Sequence, residues 1–113
     1  MNLRRIAHER FLSEFQNFLT ATAPPGSVLG VRDIRPWVWA LDPGHPLLAA
    51  YGAYWESAGG TPIREWTQSE RNRILGHLRF LPGFYREVVS HRRVGTGADT
   101  RYVRKHANRI KIV

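Results

Sequence analysis

Basic side chains are concentrated in the last quarter of the sequence. Residues 91–113 contain five Arg and two Lys against one acid, Asp99, whereas residues 1–90 contain ten Arg against eight acids. A guanidinium group binds phosphate oxygens through two parallel hydrogen bonds and stacks on bases, so this composition favours a polyanionic partner. We therefore predict a nucleic-acid-binding surface made of the following residues: Arg86, Ser90, Arg92, Arg93, Arg101, Arg104, Lys105, Arg109 and Lys111.

DNA is the favoured nucleic acid, although RNA stays open. On a helix beginning near Phe84, the side chains of Arg86, Ser90 and Arg93 would share one face and supply hydrogen-bond donors that can reach base edges. Each phosphate that is neutralised releases counterions, so we expect binding to weaken steeply with salt. The predicted role is that of an accessory or regulatory DNA-binding protein. The alternative is that the charge only keeps the chain in solution.

Residues typical of catalysis or metal binding do not form a recognisable pattern. The five histidines are widely spaced, there is no cysteine, and no His-Glu-x-x-His motif occurs. No serine lies in a Gly-x-Ser-x-Gly motif, and Gly95-Thr96-Gly97 by itself is weak evidence for a phosphate-binding loop. We therefore expect no metal, no cofactor and no enzymatic activity.

Aromatic residues suggest a second kind of partner. Trp37, Trp39, Tyr54 and Trp55 could form a patch that binds another protein, with the basic terminus contacting an acidic surface. Aromatic residues and arginine are the preferred anchors of protein interfaces. A protein-interaction module is therefore the alternative function.

The overall composition is that of one folded domain. At 113 residues the chain has the usual size of a single domain, which we assign to residues 1–113, with 91–113 as its basic C-terminal segment. The absence of cysteine fits a reducing compartment, and no apolar run resembles a signal peptide or a membrane span. A cytoplasmic location without membrane contact is expected.

Hydrophobic spacing predicts two helices in the first half of the chain. One covers residues 3–20 and ends before the turn at Pro24-Pro25-Gly26. Residues 28–45 contain prolines and partial alternation, which predict irregular structure with a short edge strand. A second helix runs from Pro46 to Ala58 and ends at Gly59-Gly60.

The middle of the chain resembles a helix-turn-helix unit. Residues 61–66 predict a short helical turn, and Thr67 with Glu70 has the spacing of a capping box. The helix that begins there would bury Ile74, Leu75, Leu78 and Leu81. Pro82-Gly83 then separates it from a further helix over residues 84–91, which would be the recognition helix.

The last residues alternate between basic and aliphatic side chains, as in a half-exposed strand. We predict a hairpin in which residues 102–104 pair with 109–113 through a loop at 106–108, with a single C-terminal helix as the alternative. The predicted fold is therefore mainly α, with four or five short helices and a C-terminal β-hairpin, in a winged helix-turn-helix arrangement.

Overall fold

The computed structural model describes residues 2–113 and combines helices with a β-sheet. Within this range there are four α-helices and one three-stranded antiparallel sheet. The mainly α prediction was therefore wrong. The elements are α1 (Leu3–Thr22), β1 (Val28–Gly30), α2 (Val31–Trp39), α3 (Pro46–Ser57), α4 (Gln68–Leu75), β2 (Phe84–Val94) and β3 (Arg101–Lys111), with short 3-10 turns at Leu78–Phe80 and Gly97–Asp99.

The first and third helices follow the predicted hydrophobic pattern. The side chain of Asn2 accepts a hydrogen bond from the backbone N–H of Arg5 and caps α1. Phe11, Phe15 and Leu19 recur every four residues and are fully buried where α1 packs on α3. The predicted boundaries of both helices are confirmed to within two residues. In the part of the chain that the structure describes, no helix is both long and apolar enough to cross a bilayer.

Helix α2 lies where irregular structure was predicted. The predicted edge strand is present as β1, but the chain then turns directly into α2. The backbone N–H of Gly30 donates to the carboxylate of Asp33 over 2.7 Å, which fixes the start of the helix. Ile34 and Val38 lie one turn apart and are fully buried. This pair gives α2 enough core contact to accommodate Pro36 in its interior.

Helix α4 begins where its cap was predicted and ends early. The hydroxyl of Thr67 accepts a hydrogen bond from the backbone N–H of Glu70. Residues 78–80 form a 3-10 turn, although the four apolar residues expected to be buried here are buried. Residues 61–66 are not helical, so the short helical turn predicted there was wrong.

The largest correction concerns residues 84–94. They form strand β2, which pairs along its length with β3, so the recognition helix and the helix-turn-helix arrangement predicted here were wrong. The predicted loop at residues 106–108 lies inside β3, and the turn between the strands is formed by residues 95–100. Pairing with the next strand, β3, overrode the local helical spacing, and the β-branched pair Val88-Val89 favours a strand. The C-terminal helix considered as an alternative was also wrong.

One end of the paired strands is fixed to the core. In the sheet, β3 lies between β1 and β2, and Ile110 and Ile112 are buried. The backbone of Ile112 exchanges hydrogen bonds with the loop before β1, accepting from Gly26 and donating to Ser27. Lys111 donates its N–H to the carbonyl of Gly83 over 2.9 Å. The two long strands are thus held at this end while the rest of their length extends from the domain, whose longest dimension is 55 Å.

Candidate nucleic-acid interface

All nine predicted binding residues lie on the two long strands. We call residues 84–111, which comprise β2, the turn and β3, the arm. Strands of 11 residues extend about 35 Å at the usual rise. Both faces are solvent-exposed over most of that length, since residues 85–93 and 101–106 are all exposed. The arm is therefore a two-stranded ribbon with little covering from the helices.

The strand register divides the basic residues between two faces. Residues that pair directly in an antiparallel ladder lie on the same face, and successive residues alternate. Val89 is the extra residue of a β-bulge, because Val88 pairs with His106 and Ser90 pairs with Lys105. The face that carries Ile110 at the base, which we call the first face, holds Arg86, Val88, His91, Arg93, Tyr102, Arg104, His106 and Asn108.

The opposite face holds the remaining predicted residues. This second face carries Ser90, Arg92, Arg101, Lys105, Arg109 and Lys111. Ser90 is thus on the other side of the ribbon from Arg86 and Arg93, so the three do not form the predicted stripe. Arg109 Nε donates to a carboxylate oxygen of Glu87 over 3.1 Å, which partly neutralises the second face.

Seven of the arm's cations have no carboxylate partner. Among residues 2–113, ion pairs are formed by Arg5, Arg73 and Arg109, and none involves Arg86, Arg92, Arg93, Arg101, Arg104, Lys105 or Lys111. The arm carries two acids, Glu87 beside Arg109 and Asp99 in the turn. Mutual repulsion of these seven charges is relieved only by solvent and counterions, so a polyanion that approached would gain favourable contacts.

A crevice lies between the arm and the start of α2. Strand β1 pairs only with residues 109–111, which leaves the outer edge of β3 without a neighbouring strand beyond that point. The crevice has a volume of about 620 Å³ and contains Arg32, Asp33, Lys105, Asn108 and Arg109 in its lining. It adds a further cation, Arg32, beside the second face.

Two histidines that are distant in sequence meet on the helical body. His8 Nε2 and His77 Nδ1 lie 3.1 Å apart, within hydrogen-bonding distance. The ring of His8 lies 4.8 Å from that of Tyr54 and 5.2 Å from that of Phe80. The two residues are 69 positions apart, so no local spacing in the sequence indicates that they meet.

The environment keeps both histidines neutral at physiological pH. Burial, with smaller contributions from the charges of His8 and Arg79, lowers the pKa of His77 to about 4. Burial and Arg4 also lower the pKa of His8, while Glu9 opposes them. Within residues 2–113 there is no group of three or more His, Cys, Asp or Glu side chains suited to a metal ion.

The aromatic residues proposed to contact a protein lie in two places. Trp37 and Trp39 belong to α2, whereas Tyr54 and Trp55 lie at the end of α3. The indole N–H of Trp39 donates to the side chain of Asn72, and that of Trp55 donates to the carbonyl of Thr61. Both indole donors are therefore satisfied within the domain.

The chain matches no protein-family model, no curated protein and no solved structure. The site must therefore be interpreted from its own geometry and charge.

Proposed function

We propose that the arm binds nucleic acid, with DNA preferred, in an accessory or regulatory role. The observation that carries this proposal is the projecting ribbon itself, which exposes seven cations that have no carboxylate partner within residues 2–113. Phosphate contacts by Arg and Lys supply most of the free energy of non-specific binding to nucleic acid. Binding that depends on the backbone and is strongly salt-dependent is thus expected.

The shape of the arm favours duplex DNA. The major groove of B-DNA, about 12 Å wide, admits a two-stranded β-ribbon as well as an α-helix. The major groove of A-form RNA is deep and too narrow for side chains to read. The ribbon thus replaces the recognition helix as the proposed DNA-contacting element. A cytoplasmic location, expected from the cysteine-free composition, remains a prediction.

The test measures binding to a random duplex DNA by fluorescence anisotropy between 50 and 200 mM salt. Over this range, the affinity of a protein that makes about 6–10 phosphate contacts falls by about 10³–10⁵-fold. The variant Arg104→Gln/Lys105→Gln removes one cation from each face. We expect it to weaken binding and to lower the slope of log K against log salt, by about 1 where one face of the arm meets phosphates and by about 2 where both do, since each phosphate contact contributes about 0.9. The matched control is Arg10→Gln/Arg64→Gln, which removes the same charge from exposed positions on the helical body.

Two results would contradict the proposal. One is the absence of anisotropy change with wild-type protein at low salt. The other is an equal loss of affinity in the arm variant and its control, which would show an effect of net charge alone. Binding of double-stranded RNA more tightly than duplex DNA would keep the arm's role and reverse the preference.

The same samples distinguish DNA binding from the alternative function, a protein-interaction module. Light scattering measures the molecular mass of the wild-type protein, and a Trp39→Ala variant tests whether α2 takes part. Self-association that Trp39→Ala abolishes, without any binding to DNA, would favour the aromatic residues on the helical body over the arm.

A further inference from the structure

The paired histidines lie in a cleft on the helical body. The cleft has a volume of about 550 Å³. Its walls come from the first turns of α1, from α3 and from the 3-10 turn at residues 78–80. The lining residues are Asn2, Arg4, Arg5, His8, Tyr54, His77, Arg79 and Phe80. This set contains no acid, although it brings together three guanidinium groups and two imidazoles.

Two of the three arginines are available to a ligand. Arg5 Nε donates to Glu9 over 3.2 Å in an exposed ion pair. Arg4 and Arg79 form no ion pair within residues 2–113. Both line the cleft together with the histidines, and the charge of Arg4 lowers the pKa of His8 while that of Arg79 lowers the pKa of His77. The uncommitted positive charge thus surrounds the histidine pair.

Aromatic surface borders the same charges. Phe80 is 47% exposed, whereas phenylalanine is more often buried. The guanidinium carbon of Arg79 lies 4.7 Å from the centroid of the Phe80 ring, which fixes the cation beside the cleft. A ligand with both an anionic group and a flat apolar part would use both features.

We propose that this cleft binds a phosphate monoester, with Arg4 and Arg79 contacting the phosphate oxygens, the histidine pair donating to them, and Phe80 contacting an attached base or sugar. A monoester is favoured over a diester because it carries up to one more negative charge and three terminal oxygens. Bidentate contacts from arginine are suited to those oxygens.

The histidine pair would respond to such a ligand. The charged and titratable groups around it are Arg4, Arg5 and Glu9 from α1, Tyr51 and Tyr54 from α3, and Arg79 beyond the end of α4. Without ligand, the cations and burial favour the neutral imidazoles. A dianion in the cleft would favour the protonated form, so we expect the pKa of at least one of the two histidines to rise on binding.

The primary test compares adenosine 5′-monophosphate with adenosine 3′,5′-cyclic monophosphate by isothermal titration calorimetry of the full chain. These probes share a base and differ in having a monoester or a diester. We expect the monoester to bind about tenfold more tightly or better, since one charge-assisted contact is worth about that factor. Equal affinity for the two probes, or binding of neither, would overturn the proposal.

Two double variants test whether Arg4 and Arg79 bind the phosphate. Arg4→Gln/Arg79→Gln should lower the affinity for the monoester about tenfold or more, and Arg10→Gln/Arg64→Gln, with the same change in net charge, should leave it unchanged. Because both changed arginines are exposed, folding of the variant should be retained. If the two variants bound the monoester with equal affinity, the cleft would not be its binding site.

The histidines are tested on the wild-type protein, because substitution of a partly buried residue could disturb the fold. NMR titration of the imidazole Cε1–H resonances, with and without the monoester, should show a raised pKa for His8 or His77. No pKa change in either residue would contradict their direct role in binding.

Two further binding comparisons distinguish the source of the monoester. Tighter binding of a 5′-phosphorylated oligonucleotide than of its 5′-hydroxyl form would assign the cleft to a strand end. Preference for the free mononucleotide over that phosphorylated oligonucleotide would assign it to a small ligand. The proposal for the cleft can fail independently of the proposal that the arm binds nucleic acid. The arm variant Arg104→Gln/Lys105→Gln should leave the affinity of the cleft for the mononucleotide unchanged.

Discussion

Arg71 Nη1 donates to the carbonyl oxygen of Leu41 over 2.7 Å, which joins α4 to the loop that follows α2. The same nitrogen also lies 3.0 Å from the carbonyl of Val38, and Arg71 Nε donates to Trp66. The residue is only 7% exposed. The guanidinium group from α4 thus satisfies carbonyls at the C-terminal end of α2, where a helix has no internal donors to offer.

Replacing Arg71 should destabilise the domain strongly. Arg71→Gln would take the guanidinium donor away from carbonyls in a partly buried part of the domain, each such loss costing about 1–3 kcal/mol, so we expect a loss of about 3 kcal/mol in the free energy of unfolding. Arg71→Lys should recover only part of it, because one ammonium cannot reproduce the planar fork. Urea denaturation measures the effect, and exposed Arg64→Gln should change stability by less than about 0.5 kcal/mol. A similar small change for Arg71→Gln would show that its contacts contribute little.

Gly83 should be intolerant of a side chain at the base of the arm. Its φ is 83°, and an added Cβ would collide with the backbone oxygen of Lys111. Gly26 has nearly the same φ, 84°, but has open space around it. We expect Gly26→Ala to cost about 1 kcal/mol from the left-handed conformation alone, and Gly83→Ala to cost clearly more. Equal midpoints in urea for the two variants would show that the collision is relieved at no cost.

The sequence predicted the helices whose ends are marked by capping residues, proline or glycine. The helices α1 and α3 were found because their apolar residues recur at helical spacing between proline or glycine boundaries. Helix α2 was missed because Pro36 and neighbouring prolines favour irregular structure, and its two buried residues are too few to reveal a period. Strand β2 was missed because it is exposed on both faces, so no alternation of apolar and polar residues marks it.

Folding stability should fall in mild acid because of His77. Its pKa of about 4 in the folded state lies below the usual 6.5, so the unfolded chain binds more protons between these values. The stabilisation is fully present above about pH 6.5, decreases as the pH falls, and is lost below about 4. We expect a contribution of about 2 kcal/mol, allowing for solvent screening of the partly exposed ring. Urea denaturation at a series of pH values measures it.

The control separates His77 from general acid denaturation. In His77→Asn this contribution is absent, so the stability advantage of the wild type should shrink as the pH falls from 7 to 4. His91→Asn, at an exposed position in the arm, should follow the wild-type curve. Parallel curves for wild type and His77→Asn would contradict the burial argument.

Sequence composition located the arm's cations but not their arrangement. The excess of arginine after residue 90 is visible without a structure, whereas their division between faces depends on the bulge at Val89, which shifts the alternation of β2 by one residue. The histidine cleft was invisible for a different reason. His8 and His77 are joined only by the packing of α1 against the segment after α4, and no local spacing encodes that contact.

The first face of the arm should be the one that meets DNA. It carries Arg86, Arg93 and Arg104 with no acid, whereas Glu87 is paired with Arg109 on the second face. It also presents Tyr102, which is 70% exposed and lies directly opposite Arg93. A ring this exposed can contact sugars or bases at the edge of a groove.

Two triple variants with equal charge change decide between the faces. We expect Arg86→Gln/Arg93→Gln/Arg104→Gln to lower the salt slope of DNA binding by about 3, at about 0.9 for each lost phosphate contact. Arg92→Gln/Arg101→Gln/Lys105→Gln removes as many cations from the second face and should lower the slope by less than about 1, because a ribbon that lies in a groove turns one face away from the bases and phosphates. The reverse order would place the DNA against the second face and its crevice beside α2. Equal decreases would mean that phosphates contact both faces, as when the arm is enclosed by a bent duplex.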